Sequence, residues 1–264
     1  MKVAFIGGGN MAGALIGGMV QAGFNASDID VVEIDAARRA ELAERDQVRT
    51  HALAGDWLQA SEVIMLAVKP QQMREAAAAI LPHLKQQCVL SIAAGVRAET
   101  IGSWLASGKI VRAMPNMPAL IRAGVTAAVA RPDVSAAQKA AADQILRAVG
   151  AVIWLDDEAM LDAVTALSGS GPAYIFYFIE AMHAVARELG FDEAQARALT
   201  LHTFAGSAQL AVQSHESAWA LREKGTSKGG TTAAALASFE RDKVDQAIAR
   251  AIKAAAARAR ELGG

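Results

Sequence analysis

The sequence contains a single cysteine, Cys88, among 264 residues, so no disulfide can form within the chain and a disulfide-stapled fold is excluded. Cys88 lies in the apolar run CVLSIAAG, with no neighbour that would activate a thiol, the setting of a small buried side chain. Aromatic residues are also scarce, at 5% against 53% apolar residues overall. Alanine supplies much of the apolar content, which favours closely packed helices over a bulky aromatic core. An excess of one charge sign is missing as well: 26 basic and 27 acidic residues are interspersed, for a net charge of −1. That balance offers no face for nucleic acid or for an anionic membrane. No uninterrupted apolar run reaches the ~18 residues of a membrane span, and the candidate AYIFYFIEAM is broken by Glu180. The opening MKVAFIGGGNMAGALIGGMVQAGF has one basic residue, and its glycines lie inside the apolar stretch, unlike a secretion signal. A soluble, cytoplasmic protein is the expectation. The five histidines, His51, His83, His183, His202 and His215, show no metal-ligand spacing, so no metal is expected. No G-x-S-x-G elbow occurs, and Ser168 and Ser170 in SGSGPAY have no evident histidine partner, which argues against hydrolysis.

What is present is an alternation. Short β-branched runs at 2–6, 29–34, 63–68, 88–93, 109–114, 125–130 and 151–155 read as strands. Helical stretches at 10–22, 36–45 and 71–81 lie between the early ones. The early strands are continuous apolar runs, as burial on both faces requires, and imply a parallel sheet covered by helices. After Leu155 only helices are expected: 157–167, 172–189, 192–212, a short one near 216–224, 231–240 and 242–262. Pro172 suits a first helical turn, Gly190 a helix end, and Asp192 with Gln195 a capping arrangement. The acids of LDDEAM (155–160) read as a helix start favoured by the dipole. The fold class is therefore α/β, with residues 1–160 as one domain and an all-α domain at 161–264.

The motif GGGNMAG follows the first strand directly and opens the first helix. Gly7, Gly9 and Ala12 fit G-x-G-x-x-G/A: the first allows a tight turn, the second lets phosphate approach the backbone, and the small third residue packs helix on strand. The helix start offers unpaired N–H groups to a pyrophosphate. A Rossmann-like dinucleotide-binding domain is the implied reading. Glu33 and Asp35 fall where an acid binds a ribose 2′-hydroxyl, while Arg38 and Arg39 could pair with a 2′-phosphate. NADP(H) and NAD(H) both stay open. The turns AVKP (Ala67, Val68, Lys69, Pro70) and AAG (Ala93, Ala94, Gly95) end further buried strands, where open α/β sheets bind their ligands.

Near the C-terminus, TSKGGTTAAAL (226–236) places hydroxyls and glycines just before a helix. Capping needs one hydroxyl, whereas Thr226, Ser227, Thr231 and Thr232 surround Gly229 and Gly230. A small carboxylate would suit such a cradle. With SGSGPAYIFYFIEAM, VRAMPNMPA, SIAAG and FIGGGNMAGALIGG in the same order, the whole chain resembles the pyrroline-5-carboxylate reductases. The resemblance implies reduction of 1-pyrroline-5-carboxylate to L-proline with NAD(P)H. It implies cofactor contacts at Ile6, Gly7, Gly8, Gly9, Asn10 and Met11 and at the two later turns. It also implies a carboxylate held by Ser227 and the N–H groups around Gly230, Thr231 and Thr232, with the Thr232 hydroxyl near the ring nitrogen, and a homodimer or larger oligomer built through the helical half. Lys228 stands where that family often has proline. The competing readings are a reductase of a six-membered cyclic imine and a dinucleotide-sensing module without turnover.

Overall fold

The structure, a computed structural model that describes residues 1–263, divides into two compact units, residues 1–170 with 255–263, and residues 171–254. In the first unit β1 (Val3–Ile6), α1 (Asn10–Gln21), β2 (Ile29–Val32), α2 (Ala36–Asp46), β3 (Arg49–His51), β4 (Val63–Leu66), α3 (Met73–Ile80), β5 (Cys88–Ser91), α4 (Ala98–Leu105), β6 (Ile110–Met114), β7 (Gly124–Ala130), α5 (Ala136–Arg147), β8 (Gly150–Trp154) and α6 (Met160–Val164) follow in sequence. Their strands form one sheet in the order β3-β2-β1-β4-β5-β6-β7-β8.

The apolar runs explain the layering. Val3, Phe5, Ile29, Val31, Val63, Met65, Cys88 and Leu90 point to one face, where they pack with Leu15, Ile16 and Met19 of α1 and Ile145 and Leu146 of α5. Ala4, Ile6, Val32, Ile64, Leu66 and Val89 point to the other, against Met73 and Ile80 of α3 and Ile101 and Leu105 of α4. Alternation along each strand thus fills a core on both sides of the sheet. Burial pushes the Cys88 thiol up to about 12, with the Lys109 charge acting weakly the other way.

Two features depart from the expected sheet. β6 and β7 pair antiparallel, while β7 and β8 are parallel to each other. The link at 115–123 holds only the short 3₁₀ turn Met117–Ile121, and a parallel return needs a crossover of about a dozen residues or more. The edge strand β3 has no apolar run; side chains hold it instead. Arg49 donates to both Asp30 oxygens at 2.9 and 2.6 Å, and the His51 ring nitrogen lies 2.7 Å from Asp30 Oδ1. Burial alone would raise the Asp30 pKa, but these two partners outweigh it and hold the carboxyl below its ordinary value.

The segment expected as one helix over 157–167 is α6 followed by a π-turn at Thr165–Gly169. Thr165 Oγ1 donates to Leu161 O at 2.8 Å and Ser168 Oγ to Val164 O at 3.3 Å, hydroxyl back-bonds of the kind that bend helices. The LDDEAM acids have a more specific role than complementing a dipole. Glu158 accepts from the buried Arg112 of β6 at 2.5 Å and from Ala98 N at 2.7 Å, and Asp162 pairs with Arg97 at 2.8 Å.

The second unit holds α7 (Gly171–Glu188), α8 (Glu193–Gln213), α9 (Ala218–Lys224), α10 (Thr231–Arg241) and the first part of α11 (Val244–Leu262). Asp192 and Gln195 form the expected reciprocal cap of α8, and Gly190 adopts φ +98° after α7. No helix among the described residues is long and apolar enough to cross a membrane.

Candidate active site

The strand order reverses at β1: the chain runs outward through β2 and β3, then returns to add β4 on the other side. In open α/β sheets the crevice beyond the carboxyl ends of the strands at such a switch is where ligands bind. The glycine loop after β1 and the turn after β4 both lie there. Gly7 adopts φ +98°, and a Cβ on it would fall 2.8 Å from Ala67 O and 2.9 Å from Val68 Cγ1. Only glycine lets these two segments meet. Gly7 N donates to Val32 O at 2.8 Å and Ala67 N to Ile6 O at 2.9 Å, so three strand ends are tied together.

At Gly9 the situation is the opposite. No atom lies within 4 Å of where its Cβ would be. Gly9 is the N-cap of α1 and no side chain caps that helix, so the first N–H groups of α1 are left for an incoming phosphate to accept from. Asn10 is exposed, Met11 is half-buried and Ala12 is buried, packing α1 on the sheet. A cavity of about 440 Å³ opens beside this loop, lined by Gly7, Gly9, Glu33, Leu53, Val68 and Lys69 among others. The exposed Lys69 ammonium makes no ion pair or hydrogen bond among the described residues, and Pro70 begins a 3₁₀ turn. These residues fit a dinucleotide: an unfilled cradle, uncapped amides and a free cation share one crevice.

The acids after β2 divide in a way their spacing does not reveal. Glu33 lines the cavity; its Oε2 accepts from Gly8 N at 2.9 Å and its Oε1 from Asp35 N at 3.0 Å. Asp35, the acid expected to touch the cofactor, is instead the N-cap of α2, accepting from Arg38 N at 2.8 Å. Ala93, Ala94 and Gly95 follow β5, the next strand beyond β4, and do not line the cavity. Gly95 has φ +75°, and a Cβ there would meet Leu262 O at 2.9 Å.

The hydroxyl-rich turn belongs to the second unit. None of its hydroxyls caps α10: the N-cap is Gly230, with no side-chain hydrogen bond. Thr226 Oγ1 donates to Arg222 O at 2.7 Å, a link back to α9. Gly229 takes φ +73°, and a Cβ on Gly230 would lie 2.5 Å from Ser227 Oγ, so the Ser227 hydroxyl sits directly over a bare backbone. Gly230 N donates to Ser227 O at 3.0 Å and is therefore engaged. The amides of Thr231, Thr232 and Ala233, in the first turn of α10, are left without a partner among the described residues, and the Thr231 and Thr232 side chains beside them are exposed. Lys228 is exposed. Among the described residues no cluster of His, Cys, Asp and Glu could hold a metal ion.

The comparisons with known proteins cover the same two regions. A family model for pyrroline-5-carboxylate reductase dimerisation matches residues 158–262, and one described as NADP oxidoreductase coenzyme F420-dependent matches residues 2–95. A pyrroline-5-carboxylate reductase of Pseudomonas aeruginosa is 42% identical over 99% of this chain and 96% of its own length. The solved structure of a pyrroline-5-carboxylate reductase from Coxiella burnetii superposes with TM-score 0.95 at 37% identity, covering 100% of this chain and 98% of that one. A Plasmodium falciparum pyrroline carboxylate reductase solved with NADP bound gives 0.88 at 25% identity, over 100% of this chain and 98% of its own. The chain belongs to the pyrroline-5-carboxylate reductase family.

Proposed function

We propose that this chain reduces the C=N bond of 1-pyrroline-5-carboxylate to give L-proline, using NADPH or NADH. Full-length likeness to a reductase of that substrate, at 42% identity over 99% of this chain, is the observation that carries the reading. The NADP found in the Plasmodium falciparum relative supports NADP(H) as a cofactor this chain accepts. When bound, the dinucleotide supplies a hydride. Residues Ile6–Ala12 and Ala67–Pro70 hold it, with the open space at Gly9 and the α1 amides receiving phosphate and Lys69 adding a positive charge; Ala93–Gly95 serve the neighbouring strand end. Residues 1–160 carry this role, and residues 161–264 carry substrate and self-association.

Ser227 Oγ and the open amides of Thr231 and Thr232 grip the ring carboxylate, with Gly229 and Gly230 keeping the cradle bare. A protonated imine is already electrophilic, so the chain contributes orientation and proximity more than acid catalysis. The Thr232 hydroxyl donates or relays a hydrogen bond at the ring nitrogen as it becomes an amine. The overall balance is one hydride and one proton added across C=N.

The exposed apolar residues Ile175, Phe176 and Tyr177 of α7, Leu210 and Val212 of α8 and Trp219 of α9 support a homodimer or larger assembly through the helical unit, since monomers seldom expose so much apolar surface. The lone, buried Cys88 supports a reducing, cytoplasmic setting. The test is to incubate purified protein with pyrroline-5-carboxylate and each reduced dinucleotide, and to measure dinucleotide loss and proline formed. Equimolar consumption and proline are expected. No turnover with either dinucleotide, while both bind, would favour a sensing module instead.

A further inference from the structure

The turn after β2 and the start of α2 carry four charged side chains, Glu33, Asp35, Arg38 and Arg39, and their sequence order is compatible with either a ribose 2′-hydroxyl or a 2′-phosphate. From the way these groups are engaged, we infer that Glu33 discriminates against a phosphate at the ribose 2′ position, so that NADH binds better than NADPH. The inference rests on the cofactor-site reading above.

Glu33 is the anion of this turn that lines the cavity. Each of its oxygens accepts from a main-chain N–H, Oε2 from Gly8 at 2.9 Å and Oε1 from Asp35 at 3.0 Å. A carboxylate pinned at both oxygens cannot swing away from an arriving phosphate. The two cations of the turn are committed elsewhere. Arg38 donates from Nε to Gly8 O at 2.8 Å and from Nη1 to Glu41 at 2.6 Å. Arg39 Nη1 donates to Glu33 O at 2.7 Å and Ile34 O at 2.9 Å. Turning either guanidinium toward a phosphate would break these bonds. Lys69, which unlike Arg38 and Arg39 does line the cavity, comes from the end of β4, across β1 from this turn. A ribose 2′-hydroxyl, in contrast, can donate to the remaining lone pairs of Glu33. Coulomb repulsion between a fixed carboxylate and a 2′-phosphate at a partly solvated site is expected to cost about tenfold in affinity, and salt should narrow that gap.

The experiment is a titration of the full-length protein with NADH and with NADPH in the absence of substrate, followed by nicotinamide fluorescence at low and high salt. NADH is expected to bind about tenfold more tightly at low salt, with the ratio shrinking at high salt. Glu33→Gln keeps an oxygen for the Gly8 amide while removing the charge, so it should bring the two affinities close together chiefly by strengthening NADPH. Glu33→Ala also removes the support of the glycine loop, and both affinities should fall. Equal or tighter NADPH binding by the unaltered protein, or an unchanged ratio in Glu33→Gln, would overturn the inference. Failure to bind either dinucleotide would overturn the cofactor-site reading, and the inference with it. Should the variants not fold, displacement of NADH from the unaltered protein by ADP and by 2′,5′-ADP asks the same question: ADP must compete better.

Discussion

Replacing Gly7 with alanine puts a methyl group where the chain has no room for one, and replacing Gly9 puts the same methyl into a void. At Gly7 the backbone lies at φ +98° and the new carbon would sit 2.8 Å from Ala67 O. Holding an L-residue there costs about 1–2 kcal/mol, and forcing the β4 turn to give way adds about 1–3 kcal/mol. A total of about 2–5 kcal/mol is a large share of the roughly 5–15 kcal/mol typical of a folded chain. At about 2–4 °C per kcal/mol for a chain of this size, Gly7→Ala should lower Tm by roughly 4–20 °C. Gly9 has φ −63° and ψ −174°, ordinary backbone for alanine, and no atom within 4 Å of the new carbon. The weaker N-cap costs about 1 kcal/mol at most, so Tm should move by no more than about 4 °C. The methyl does occupy the space assigned to phosphate, and dinucleotide affinity should fall at least tenfold, ~1.4 kcal/mol. Thermal denaturation and fluorescence titration of both variants separate the effects. Unaltered affinity in Gly9→Ala would refute the assignment of that void to phosphate, and an unaltered Tm in Gly7→Ala would refute the close contact with Ala67.

Thr232→Ala should lower kcat/KM while leaving dinucleotide affinity nearly unchanged; matched titrations and steady-state rates check this, and an equal loss of cofactor affinity would misplace the residue. Asp30→Asn removes the anchor of β3 and should cost about 1.5–3 kcal/mol in a urea titration near neutral pH. Because Asp30 titrates below its ordinary value when folded, its contribution is complete above the unfolded pKa, about 3.9, and fades as pH falls through the folded one. The gap between variant and parent should therefore close below that value, and a gap that widens there would contradict the ion-pair account. Cys88, buried and held near 12, should resist an aromatic disulfide reagent in the folded protein and react at once after unfolding, as absorbance of the released thiolate will record.

The parts of the fold that read clearly from the sequence are those governed by burial. β1, β2, β4 and β5 announce themselves as apolar runs because both faces are covered. β3 escapes notice because its residues Arg49 and His51 are tied to β2 through Asp30, an interaction between distant positions that leaves no local pattern. The antiparallel turn of β7 depended on reading the length of the 115–123 link rather than the strands. In the site, spacing singled out the turn after β2, but not that Glu33 and not Asp35 lines the cavity there. Asp35 stands immediately before the α2 start and is an N-cap residue by type, a signal of the capping role it takes in the structure. At 226–232 the surplus of hydroxyls was legible, and in the structure none of them caps α10. Which amides stay open was not legible, since the Gly230 to Ser227 bond arises only once Gly229 takes its positive φ.

We propose that the turn at 226–232 holds the substrate carboxylate and that the void at Gly9 holds a dinucleotide phosphate. A crystal structure with NADH and L-proline bound tests it most directly. The account predicts the proline carboxylate on Ser227 Oγ and the Thr231 and Thr232 amides, and a dinucleotide phosphate in the void at Gly9. Proline bound away from the 226–232 turn, or a dinucleotide whose phosphates lie away from Gly9, would contradict it.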